Sequence, residues 1–243
     1  MDIYLNIAEY YEELYPVTES QKRFYAEEMQ WFPRPVKLLR VGCGTGAFEH
    51  YLAREGADVT GLETSQELLE SANRKRRTQL MSVRFFQMNT TEMGRFLGKG
   101  FYHIISVLDD RLMLIHDPLL IKRFFSDCKQ LLARGGHLIL SIPNFDKFTA
   151  EPLVQLPDRT SIRSSLYTQI WTDKSGRKFV QQDVETGSGR VLPVTKDVPI
   201  YPLTATEIKA FAKEAGLSHC ECYADFEETP FSATSDYLVA RIF

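Results

Sequence analysis

The chain has 243 residues, of which 44% are hydrophobic and 25% charged, and its net charge is −3. These are the values of an ordinary globular protein, long enough for one large domain or one domain with an inserted subdomain. The mild acidity argues against a dedicated nucleic-acid surface, no apolar run approaches a membrane span, and Met1-Asp2-Ile3-Tyr4 lacks the pattern of a signal peptide, so a cytoplasmic protein is expected.

In chain order, a short aromatic stretch from Ile7 to Pro16 comes first. Thr18 and Gln21 then form a capping box for a helix carrying Phe24, Tyr25, Glu28, Met29 and Phe32, which Pro33 and Pro35 end. Strand one is Val36 to Val41. It runs into the glycine turn Gly42-Cys43-Gly44-Thr45-Gly46 and a helix to Arg54, with Gly56 as its terminator. Strand two, Asp58 to Leu62, delivers Glu63 at its C-terminal end, and Ser65 caps a helix to about Lys75. The run Arg74-Lys75-Arg76-Arg77 reads as a solvated helix end whose cations complement the dipole.

Strand three, Val83 to Met88, ends in Asn89, and a short helix starts at Thr91. Strand four, His103 to Leu108, ends in Asp109 and Asp110. Asp117 and Pro118 open a long helix to Ala133, and Gly135-Gly136 turn the chain into strand five, His137 to Ile142. Strands alternating with helices imply a parallel sheet with helices on both faces.

After Pro143-Asn144 the rhythm changes. Tyr167–Trp171 and Lys178–Gln182 alternate around the turn Asp173-Lys174-Ser175-Gly176, which predicts an antiparallel hairpin with a third strand after Gly187-Ser188-Gly189. A capping box at Thr204 and Glu207 restarts a helix to Ala215, stopped by Gly216. Strands His219–Tyr223 and Asp236–Ile242 follow with no crossover helix, so they must pair antiparallel. Cys220 and Cys222 share one strand face and read as buried thiols, and the five histidines show no metal-ligand spacing. His103 and His137, inside strands, read as packed sheet residues. Three divisions are expected: an N-terminal helical segment at 1–35, a ligand-binding α/β unit at 36–145 and 203–243, and an inserted β lid or substrate subdomain at 146–202.

Chemistry gathers at the C-terminal ends of the first three strands. A glycine turn between strand and helix offers backbone N–H groups and a helix N-terminus. Glu63 can accept hydrogen bonds from both hydroxyls of a ribose, and Asn89 can read an adenine edge. The stretch Gly42 to Ala47 also satisfies the dinucleotide fingerprint, so two classes of adenosine cofactor fit the residues alone.

Several segments together carry a family resemblance. Leu38 to Gly46, Val59 to Ser65 with Leu68, Leu69 and Ala72, Leu131 to Ile139, and the tail from Tyr201-Pro202-Leu203-Thr204 to Phe226 resemble motifs of the class I S-adenosylmethionine-dependent methyltransferases of small-molecule type. The likeness runs over nearly the whole chain. It implies a doubly wound, mostly parallel seven-stranded sheet with the last strand antiparallel and a small antiparallel β insertion after strand five. It implies S-adenosylmethionine as cofactor and in-line methyl transfer to a small molecule, with cofactor contacts at Tyr11, Gly42, Cys43, Gly44, Gly46, Glu63, Thr64, Asn89, Thr90 and Leu108.

Tyr11, Asp109, His116 and Trp171 are weak catalytic candidates, with Asp110 and Arg111 beside them. No metal is implied. The only string resembling the motif of amino-methylating DNA enzymes, Ser141-Ile142-Pro143-Asn144, follows strand five instead of strand four, which disfavours a nucleic-acid acceptor. Arg40, Asn89 and His103 replace acids that the family usually carries. Arg40 reverses the charge near the expected methionine ammonium, so it must be turned away or paired for binding. A non-catalytic relative and an NAD-type oxidoreductase are the other readings.

Overall fold

The computed structural model describes residues 4, 6–75, 82–148 and 152–243. Met1, Asp2, Ile3, Arg76 and Arg77 of the sequence reading lie outside them. The order is α1 (Tyr11–Leu14), α2 (Glu19–Glu28), β1 (Lys37–Val41), α3 (Ala47–Arg54), β2 (Asp58–Glu63), α4 (Gln66–Arg74), β3 (Val83–Gln87), α5 (Thr90–Phe96), β4 (Tyr102–Val107), α6 (Pro118–Leu131) and β5 (Leu132–Pro143). Then come β6 (Leu153–Gln155), β7 (Arg159–Thr160), β8 (Ser164–Thr172), β9 (Lys178–Thr186), β10 (Val191–Ile200), α7 (Ala205–Glu214), β11 (Cys220–Tyr223) and β12 (Tyr237–Ile242).

The main sheet has seven strands in the order β11-β12-β5-β4-β1-β2-β3. β3, β2, β1, β4 and β5 run parallel, and β12 lies antiparallel between β5 and β11. This is the expected α/β sheet, with its last strand reversed. Strand alternation divides its side chains between two cores. Leu39, Val41, Ile105, Val107, Leu138 and Leu140 pack with α6 and α7. Leu38, Val59, Ile104 and Ile139 pack with α2 and α3 on the other face.

The caps read from sequence are present. Thr18 and Gln21, and Thr204 and Glu207, form reciprocal capping boxes, Ser65 accepts from the Leu68 amide, and Asp117 accepts from the Leu119 amide ahead of Pro118. Most boundaries shift by about one residue, and those at the end of α2 and between α6 and β5 shift further. α2 ends at Glu28 and tightens into a 3-10 turn through Trp31 before the prolines are reached. α6 stops at Leu131, and β5 begins at once, with Gly135 and Gly136 inside the strand as an irregularity opposite Tyr102–Ile104. Glycine within a strand marks such a bulge as readily as a turn.

The insertion forms a second antiparallel sheet, β10-β9-β8-β6, with β7 also paired to β8. The predicted hairpin and third strand are β8, β9 and β10, while β6 and β7 are too short to stand out in the sequence. Leu166, Val184 and Val194 of this sheet share a core with Tyr4, Ile7, Tyr11 and Leu14 of the N-terminal segment. That segment therefore bridges the insertion and the glycine turn. Among the described residues, no helix is long and apolar enough to cross a membrane.

Candidate functional site

β1 ends in the glycine turn because Gly42 and Cys43 both donate their amides to the Leu62 carbonyl, at 2.8 and 2.9 Å, which bends the chain across the end of β2. Gly42, Gly44 and Gly46 all have positive φ. β2 delivers Glu63, 1% exposed, into this bend. Its Oε2 accepts the Gly44 amide at 2.9 Å, and its Oε1 accepts the amides of Thr64 and Ser65 at 2.8 and 3.0 Å. A carboxylate fixed by backbone amides at a strand end, beside a glycine turn, is suited to gripping vicinal hydroxyls.

A cavity of about 240 Å³ opens at this point, lined by Gly42, Glu63, Thr64, Asn89, Thr90 and His116 among others. Asn89 caps α5, and its Oδ1 accepts from the amide and hydroxyl of Thr91 and from the Thr90 hydroxyl. The amide oxygen is thus engaged in the helix start, which leaves the Nδ2 group of Asn89 to donate to an adenine edge.

A second cavity, of about 30 Å³, lies beside the other flank of the turn, lined by Tyr11, Arg40, Cys43, Glu49, Leu108 and Asp109 among others. Tyr11 and Arg111 stand over the glycine turn. A Cβ on Gly44 would fall 2.4 Å from the Tyr11 ring, and one on Gly42 would fall 2.8 Å from Arg111 Cγ. Arg111 Nη2 donates to the Tyr11 hydroxyl at 3.0 Å, its Nη1 lies 3.4 Å from Glu63 Oε2, and its guanidinium sits 3.6 Å from the Tyr4 ring centroid. Burial pushes the Tyr11 hydroxyl well up, so it stays protonated. The residues present leave room for an adenine as they stand; a ribose on Glu63 requires Arg111 to give way, and a longer ligand crossing Gly44 requires Tyr11 to swing aside.

Gly46 lines neither cavity. A Cβ there would meet Phe85 at 2.7 Å and Ala72 at 3.0 Å, so this glycine lets the start of α3 pack closely on β3 and α4. Trp171 is also not brought to the site. Alternation on β8 buries Leu166, Thr168 and Ile170, leaving Trp171 on the opposite face, stacked on Phe179 at 4.6 Å and bonded to Asp197.

The two acids after β4 have different fates. Asp109 adopts φ +63°, a conformation that is strained for a residue with a Cβ, and lies 3.4 Å from Arg159. Asp110 is buried and fully engaged: it accepts from Tyr4 at 2.9 Å, Tyr15 at 3.2 Å and Gln182 at 2.6 Å. It is a structural clasp and not a free base. His116 borders both the 240 Å³ cavity and an open groove of about 630 Å³ toward β10 and α7.

Away from the site, His103 Nδ1 accepts the Lys37 amide and its ring stacks on Phe32, and His137 pairs with Glu28. Cys220 and Cys222 are half-buried, not buried, with sulfurs 3.9 Å apart, because β11 is an edge strand. Lys75 of the basic run pairs with Glu12 and donates to the Thr45 carbonyl, tying α4 to α1. Arg40 is paired rather than turned away: its Nε donates to Glu49 Oε1 at 2.8 Å. Glu49 escaped notice because an acid in a first helical turn looks like a dipole-complementing surface residue. A cation inside a buried strand was the signal that an acid must face it.

Residues 38–136 match the family model described as a methyltransferase domain. Over 110 residues the chain is 34% identical to a ubiquinone biosynthesis O-methyltransferase of Pectobacterium carotovorum, covering 44% of this chain and 43% of that protein. Over 161 residues it is 31% identical to the protein of that name from Psychrobacter cryohalolentis, covering 61% and 60%. The chain thus spans about half the length of the curated relatives it matches. Among solved structures, the CcbJ methyltransferase of Streptomyces caelestis superposes with a TM-score of 0.76 at 20% identity, covering 97% of this chain and 95% of that one. An S-adenosylmethionine-dependent methyltransferase of Clostridium acetobutylicum also gives 0.76, at 16% identity, covering 98% of each.

Proposed function

We propose that this chain, which carries a class I S-adenosylmethionine-dependent methyltransferase domain, moves a methyl group from S-adenosylmethionine to a small-molecule acceptor. The observation that carries the reading is Glu63, buried at the end of β2 and bonded to the Gly44 amide on the wall of the 240 Å³ cavity. When bound, the cofactor supplies an electrophilic methyl on a sulfonium; the acceptor's lone pair forms the new bond as the C–S bond breaks, and sulfur leaves as a neutral thioether.

Glu63 and Thr64 hold the ribose, while Asn89 and Thr90 face the adenine. Gly42, Cys43 and Leu108 border the path to the second cavity. Tyr11 and Arg111 move off the turn and close over the bound molecule, excluding water and holding the reacting groups in line. An acceptor that must lose a proton needs a base, and Asp109 and His116 are the titratable candidates bordering the cavities. Residues 146–202 form the acceptor-side subdomain over the 36–145 and 203–243 unit, with residues 1–35 as the strap between them. The net charge of −3 supports a small-molecule acceptor over a nucleic acid, and a cytoplasmic setting is part of the same reading.

Calorimetric titration of the full chain with S-adenosylmethionine tests the reading; no binding into the millimolar range overturns it. A second reading, a cofactor-binding relative without transfer, rests on Tyr11 and Arg111 spanning the glycine turn. Recovery of a methylated product from a panel of small acceptors excludes that alternative.

A further inference from the structure

Arg40 lies within β1 and is 4% exposed; Glu49, on the inward face of α3, is 0% exposed. Besides its 2.8 Å bond to Glu49 Oε1, Arg40 reaches the Ser106 carbonyl at 3.5 Å. A buried ion pair is stable only when its remaining lone pairs and protons also find partners. Glu49 Oε2 has none among the described residues. Both side chains border the 30 Å³ cavity, which Asp109 and Tyr11 also line. A cavity needs roughly 10–15 Å³ to hold one water-sized group, so this one accommodates a single small polar head. Tyr11 and Cys43 line this cavity while Arg111 and Gly42 line the 240 Å³ one, so the bonded Tyr11–Arg111 pair stands between the two at the glycine turn, and a ligand crossing Gly44 would bring its far end here.

The cavity therefore offers an unspent buried carboxylate oxygen with a guanidinium fixed next to it. A zwitterionic α-amino acid group is the ligand chemistry that matches such a pair of charges. We propose that Glu49 Oε2 accepts a hydrogen bond from the α-ammonium of the amino acid end of S-adenosylmethionine, with Arg40 holding the carboxylate in place. The acid for this end of the cofactor is then delivered by α3, and Arg40 becomes a positioning residue instead of an obstacle. Burial, which pushes the free Glu49 carboxyl up against the pull of Arg40, is offset once the ammonium arrives.

The assignment rests on the cofactor reading above, and two ligands separate the two claims. S-adenosylhomocysteine carries the amino acid end, and 5′-methylthioadenosine lacks it. In calorimetric titrations of the full chain, Glu49→Gln is expected to weaken S-adenosylhomocysteine at least tenfold and to leave 5′-methylthioadenosine unchanged. Because Glu49→Gln leaves Arg40 unpaired in the core, the double variant Arg40→Met, Glu49→Gln, which buries no charge, is measured beside it with circular dichroism as the check of fold. The same selective loss is expected from the folded double variant. Equal loss for both ligands, or no loss for either, overturns the Glu49 assignment and leaves the cofactor reading standing. A wild-type chain that binds neither ligand overturns the cofactor reading and the assignment with it.

Discussion

Glu63 is held by one backbone amide of the glycine turn and two of the bend that follows β2, and its remaining capacity is occupied by Arg111. A ribose must take over that capacity, so ligand and guanidinium compete for one carboxylate. Glu63→Ala is expected to weaken adenosine-ligand binding by about 1–3 kcal/mol, the worth of charged hydrogen bonds, as read by calorimetry; unchanged affinity would remove the ribose assignment. Arg111→Met is expected to act in the opposite direction. With the competitor gone, 5′-methylthioadenosine should bind about tenfold faster in stopped-flow fluorescence, since the competent state no longer has to be selected from a blocked one. A slower rate would show that Arg111 helps to seat the nucleoside, and an unaltered one that it does not block the site. The roles of these residues differ in how far they could be read from sequence. Glu63 and the glycine turn follow from local order, a strand that ends beside a bend. The partners of Arg40 and Arg111 are set by packing between α3, β1 and the N-terminal segment, which no spacing rule encodes.

At the level of elements, Asp110 gathers three parts of the chain. Tyr4 and Tyr15 come from the N-terminal segment and Gln182 from β9, and Gln182 is in turn held by Thr168 and Thr195. On β8 and β9 the buried stripe is apolar apart from Ser164, Thr168 and Gln182, so these polar residues interrupt a core face and require a buried acceptor. Asp110→Ala removes a shared charged acceptor and strands three donors. A loss of about 3 kcal/mol is expected in urea unfolding, with faster amide exchange in β8 and β9 than in β1 and β4. Uniform exchange across both sheets would argue against the clasp. The element pattern itself was readable wherever a cap or an alternating run marked it, as at Thr18, Thr204 and the β8–β9 hairpin. It failed at Ala133–Gly136, where glycine signals a turn and a bulge alike, and at β6 and β7, whose pairing with β8 is a tertiary choice.

Across the whole molecule, one buried acid joins distant parts of the chain. Glu28 of α2, 1% exposed, contacts His137 of β5 at 2.7 Å and Arg241 of β12 at 2.8 Å. Burial alone would raise its pKa, but the hydrogen bonds from His137 and Arg241 outweigh it and hold the carboxyl below the ordinary range. A depressed folded-state pKa contributes stability that is present above the unfolded-state value and disappears as pH falls through the folded one. Glu28→Gln should therefore cost about 3–5 kcal/mol at pH 7, the usual result of breaking a buried pair, and the deficit should shrink as both proteins are acidified below pH 4. A deficit independent of pH in urea titrations would assign the effect to packing. The same corner of the sheet fixes an order of assembly. β12 lies between β5 and β11, so β11 has no neighbour without it, and β5 keeps an open edge until residues 237–242 are in place. The parallel strands can pair as they emerge from synthesis, but two positions in the sheet wait for β12 to be made. Closing that gap across the whole insertion makes it the slow, long-range step of folding.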